Sequence, residues 1–199
     1  MGMCLGLVSI DNESISRVLA DPPLIWKVIA PDDPDMYEAE RNNGKSTSWF
    51  SGIFGKKEAP TSASLQVGPC AEDIDLDKAW HGIHYLFTKT ACEGDPPLNF
   101  LLLGGTEVGQ VDVGYGTARA FTADIVAEID LALAGLDRAY LERRFDPSEM
   151  TELGIYPEIW DRTDEEDDNF GYCAEYFDDL KAFVHRTTEH GLGMIIFLS

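Results

Sequence analysis

The chain has 199 residues, 44% hydrophobic and 11% aromatic. A chain of this length and composition can bury roughly 70% of its unfolded surface, which excludes an intrinsically disordered protein. Its 36 acidic residues stand against 15 basic ones, a formal charge of −21. So acidic a molecule is repelled by nucleic acid and by anionic membrane surfaces, and it attracts basic partners at long range.

Cys4, Cys70, Cys92 and Cys173 are widely spread, with no C-x-x-C pair and no histidine-bearing cluster. Neither a metal site nor a disulfide framework is expected, and no cofactor. No basic-then-apolar leader opens the chain, and no apolar run approaches the roughly 18 residues that a membrane helix needs. The expectation is one reduced, cytoplasmic domain over residues 1–199, with a flexible or inserted segment at 41–73.

Met3 to Ile10 is short, apolar and interrupted by glycine, which predicts a buried strand. Asp11 or Asn12 caps a helix in which Ile15, Val18 and Leu19 share a face. Pro22-Pro23 opens a second short helical segment, Leu24 to Ile29. Asp32, Asp33 and Asp35 then fall in an acidic loop. Within 41–73, the only island of large apolar residues is Trp49, Phe50, Ile53 and Phe54. It either docks on the domain as a helical turn or forms an exposed contact patch.

A helix is predicted from Ile74 to Thr88, with Leu76, Trp80, Ile83 and Phe87 on one face. Leu98 to Leu103 is a short apolar element ending at Gly104-Gly105. The stretch to Thr122 is crowded with glycine: Gly105, Gly109, Gly114 and Gly116 lie among Glu107, Asp112, Tyr115 and Arg119. It predicts tight turns and one or two strands. Thr122 caps a helix to Leu136 whose apolar face carries Ile125, Val126, Ile129, Leu131 and Leu133. Asp137 to Phe145 extends it or begins another, and Asp146-Pro147 opens a short helix closed by Gly154. The acidic run Asp164, Glu165, Glu166, Asp167 and Asp168 suits the positive start of the longest helix, predicted from about Glu165 to His190. Gly191 stops it. Leu192 to Leu198 predicts a terminal strand buried on both faces, pairing with the first.

Several separated motifs occur in order: Met1-Gly2-Met3, Asp75 through His84, Gly104 through Arg119, Ile155-Tyr156-Pro157 with Trp160, and Gly191 through Phe197. Together they resemble the YfbM-like family of uncharacterised bacterial proteins (DUF1877), over nearly the whole chain apart from roughly residues 40 to 70. The resemblance implies a bacterial α+β protein and no particular activity. A small sheet containing both terminal strands, covered by four to six helices, is therefore expected.

The glycine stretch fails both phosphate-loop templates, since it lacks Gly-Lys-Ser/Thr and has Arg119 where the dinucleotide fingerprint has its third glycine. Arg119 with Gly114, Tyr115 and Gly116 either clamps an anionic ligand or pins the loop by pairing with Asp112, Glu107 or another acid. His84, Asp112, Tyr115 and Arg119 form the one constellation with catalytic potential: imidazole base, orienting carboxylate and anion clamp. No nucleophile motif accompanies it. The leading functional expectation is a non-enzymatic module that binds a basic protein, such as an immunity or antidote protein facing a toxin. Its contacts would come from Asp32, Asp33, Asp35, Trp49, Phe50, Phe54 and Asp164 to Asp168. The competing expectation is a small-molecule-binding protein or enzyme built on His84, Asp112 and Arg119.

Overall fold

The computed structural model describes residues 2–43, 72–162 and 168–199. The terminal strands β1 (Leu5–Ile10) and β5 (Gly193–Leu198) pair antiparallel, Leu5 opposite Leu198 and Ile10 opposite Gly193. Around them the order among the described residues is β2-β1-β5-β4-β3, where β2 is Asp73–Asp75, β3 Thr106–Asp112 and β4 Thr117–Phe121. Every pairing is antiparallel, as expected of an α+β fold.

Both faces of the sheet are covered. On one, Leu5, Leu7, Met194, Ile196 and Phe121 pack against α4 (Trp80–Thr88), α5 (Ala123–Ala134) and α8 (Asn169–Glu189). On the other, Val8, Ile10, Ile195 and Ala120 meet α1 (Asn12–Ala20) and α2 (Ile25–Ile29). With apolar residues on both faces, hydrophobic alternation does not by itself set the β1–β5 register. Small residues do. Phe197 lies opposite Gly6, where an added Cβ would sit 2.4 Å from its ring. Gly193 leaves no room for a side chain beneath the Phe121 carbonyl oxygen, 2.3 Å from such a Cβ.

Asp11 caps α1 by accepting the Ser14 N–H at 2.7 Å, and Asp137 and Asp146 do the same for α6 (Arg138–Glu142) and α7 (Pro147–Glu152). Thr122 precedes α5 without a side-chain cap. There Asn12 Oδ1 accepts the Ala123 N–H across the fold, at 3.0 Å.

Several elements differ from expectation. The acidic loop after α2 is only partly a loop, because α3 (Pro34–Asn43) begins inside it and places Asp35 in its first turn. The helix expected from Ile74 starts at Trp80, and Asp73–Asp75 is an edge strand paired with β1. Leu76 is nonetheless fully buried, so the apolar spacing was real while the backbone was not yet helical. Ile125 and Leu131 were expected on the buried face of α5, yet they are 37% and 79% exposed; Val126, Ile129 and Leu133 alone face the core. That three-residue stripe packs against α8 and β5.

In α4, Gly82 lies against buried Trp160 and Cys173: an added Cβ would come within 2.6 Å of the indole and 2.7 Å of the sulfur. Gly→Ala ordinarily gains about 1 kcal/mol at an exposed helix position. Gly82→Ala is expected to reverse that sign, costing about 1–2 kcal/mol net through overpacking. A lowered thermal unfolding midpoint checks it.

Candidate functional site

The glycine-rich stretch folds as a β3–β4 hairpin whose register slips between Glu107 and Asp112. Gly109 sits in that bulge at φ 58°, and a Cβ there would come within 2.6 Å of Pro22. At the turn, Asp112 Oδ1 accepts the N–H groups of Gly114 (2.9 Å) and Gly116 (3.2 Å), which hold its carboxyl below the usual range. Asp112 therefore serves its own turn. The Tyr115 N–H donates to the Leu198 carbonyl at 3.0 Å, docking the turn on the end of β5 and leaving the phenol ring half exposed.

Arg119 points from β4 beneath the turns at residues 97–104. Its guanidinium donates to four main-chain carbonyls: Phe100 (3.0 Å), Leu101 (2.6 Å), Leu103 (2.6 Å) and Gly104 (3.2 Å). It also lies 5.5 Å from the centre of the Phe121 ring. Those turns leave their later carbonyls pointing inward without N–H partners, much like a helix C-terminus. A planar fork of five donors suits them. Burial draws the guanidinium down to about 10, partly offset by Glu107, which faces it across the hairpin, so it stays charged at neutral pH. Arg119 does pin the loop, but through carbonyl oxygens; among the described residues it forms no ion pair with Asp112 or Glu107.

His81 bridges two segments, its Nε2 at 2.8 Å from the Ala91 carbonyl and its Nδ1 accepting the Tyr156 N–H at 3.0 Å. It is a neutral linker stacked on Trp80. His84 is wholly buried, and neither ring nitrogen has a hydrogen-bond partner of ordinary geometry. Burial first, then His81 and Arg119, lower it to about 4, while the main chain of Glu93 favours its proton. The four residues of the catalytic expectation thus part company: Tyr115 and Arg119 border one small cavity of about 230 Å³, Asp112 faces solvent, and His84 lies in the core.

Around the end of β5 two wider depressions flank that cavity. One, of about 610 Å³, lies between Tyr115 and Asp77. Asp77, at φ 44°, accepts the Tyr172 hydroxyl at 2.8 Å and lies 3.4 Å from Cys4 Sγ, tying the start of the chain to α8. The other, of about 580 Å³, opens between α2 and β2. Neither depression is legible in the sequence, because both are bordered by Asp75, which the helix expected from Ile74 includes and which instead belongs to an edge strand on β1.

Asp32, Asp33 and Asp35 are exposed, as a contact role requires. Asp168 caps α8, accepting the Gly171 N–H at 2.7 Å. Asp168→Ala is expected to cost about 1 kcal/mol, and Asp168→Asn less, in urea titration. Trp49, Phe50, Phe54, Asp164, Glu165, Glu166 and Asp167 lie outside the described residues. No helix among the described residues is long and apolar enough to cross a membrane.

No curated protein matches the chain. Among solved structures, a protein of unknown function, YfbM from Escherichia coli, is similar with a TM-score of 0.63. The two share 18% identity over 98% of this chain and 99% of that one, a likeness of fold. The family model for the domain of unknown function DUF1877 matches residues 1–197, and the chain belongs to that family.

Proposed function

We propose that this protein is a non-enzymatic binding module for a basic protein, and that an antidote to a basic toxin is the form its charge suits best. The observation carrying the reading is the −21 charge, sharpened by where the cations go. Arg119 is committed to main-chain carbonyls, Arg144 to those of Leu86 and Phe87, and Lys181 to those of Ala134 and Leu136. These three positive charges cap the ends of turns and helices and pair with no carboxylate among the described residues. Exposed acids such as Asp32, Asp33 and Asp35 form no ion pair among the described residues, and charge of one sign gives fast, salt-sensitive association.

Calorimetry against the product of the neighbouring gene tests it. Binding that weakens steeply between low salt and about 0.15 M is expected. No heat at low salt, or an affinity indifferent to salt, overturns the reading.

A further inference from the structure

The sheet face that α1 and α2 cover is left open at one corner. There β2 extends the sheet past α2, and Gly6 contributes no side chain. The result is the depression of about 580 Å³ between the two elements. Its floor is apolar: Val8, Val28, Ile29 and Phe197. Its wall is acidic. In the β1–β2 register Asp73 stands beside Val8 and Asp75 beside Gly6, so both carboxylates rise on the same face as the floor. Asp32 closes the opposite side, and among the described residues no lysine or arginine lines the groove. Glu72 is paired with Arg186 at 2.8 Å and Asp75 accepts the Asp77 N–H at 2.7 Å. Asp32 and Asp73 have no ion-pair partner among the described residues.

We propose that this groove seats a short basic segment of the partner, an apolar side chain entering between Val28 and Phe197 while flanking lysine or arginine reaches Asp32 and Asp73. The inference rests on the binding function proposed above and assigns it a place. Charge complementarity selects the occupant: an apolar floor alone would accept any hydrophobic segment, whereas three carboxylates around it turn away acidic and reward cationic flanks. The outer edge of β2 adds to this. The Ser9 N–H bonds to the Glu72 carbonyl and the Leu76 N–H to the Leu5 carbonyl, so the intervening main chain of Asp73 and Asp75 turns outward, open to an extended peptide.

The test uses a synthetic peptide with a Lys-Phe-Lys core, with Glu-Phe-Glu and Lys-Gly-Lys peptides as controls, followed by amide shifts in the full chain by nuclear magnetic resonance. Shifts at Val8, Ile29, Asp73 and Phe197, strongest for Lys-Phe-Lys, are expected. The double variant Asp32→Lys, Asp73→Lys, whose sites are exposed, should weaken binding about tenfold or more. Should the cationic peptides bind with shifts elsewhere, or the double variant bind as the parent does, the groove assignment is wrong and the binding function stands. Should neither the peptide nor any basic protein bind at low salt, both readings fall.

Discussion

Replacing Arg119 with leucine is expected to cost about 3–5 kcal/mol of folding stability. The substitution leaves the carbonyls of Phe100, Leu101, Leu103 and Gly104 without their donor. Each carbonyl left unpaired away from water costs about 1–3 kcal/mol, tempered where solvent reaches Leu103 and Gly104. Against a total stability of about 5–15 kcal/mol the loss is large. Lysine at 119 keeps the charge but offers a point donor in place of a planar fork, so an intermediate loss is expected. Glu107→Gln should change stability by no more than about 0.5 kcal/mol, because the exposed carboxylate acts on Arg119 only through space. Urea unfolding of the three variants checks this. A loss below about 1 kcal/mol for Arg119→Leu would show that the 97–104 turns hold themselves.

Between pH 7 and pH 4 the protein should lose stability in a way that His84→Leu largely removes. The folded-state value of His84 is about 4, below the ordinary 6.5. Over that interval the unfolded chain binds a proton that the native state does not, so stability is full above about pH 6.5 and falls as pH drops toward 4. At 1.36 kcal/mol per unit the span amounts to about 3 kcal/mol. His81, also lowered by burial, adds in the same direction. Asp11, Asp112 and Glu149 are depressed carboxylates whose contributions are lost at lower pH still, as protonation reaches their folded values. The difference between parent and His84→Leu curves isolates the imidazole. At pH 7 the leucine variant should be within about 1 kcal/mol of the parent, since neither ring nitrogen has a hydrogen bond of ordinary geometry to lose. Parallel curves down to about pH 4.5 would place water beside His84 and defeat the argument.

What residue order alone determined was the set of elements whose partners are local or whose pattern is unbroken. The terminal strands, the capped helix after Asp11, the long helix ending at Gly191 and the turns at Gly114 and Gly116 all follow from short-range chemistry: apolar runs, side-chain caps and positive φ. Net charge, likewise, is a sum that no fold alters. Only the tertiary structure decided the rest. Asp73–Asp75 became a strand because β1 offered an edge, overriding an acidic stretch that suits a helix start. Arg119 found carbonyls because the 97–104 turns, distant in sequence, present theirs under β4. The sequence groups His84 and Asp112 in one constellation, yet the helix buries the first and the hairpin turn carries the second into solvent. Such choices depend on which groups meet across the fold, where the free energy of a long-range contact outweighs local preference by a few kcal/mol.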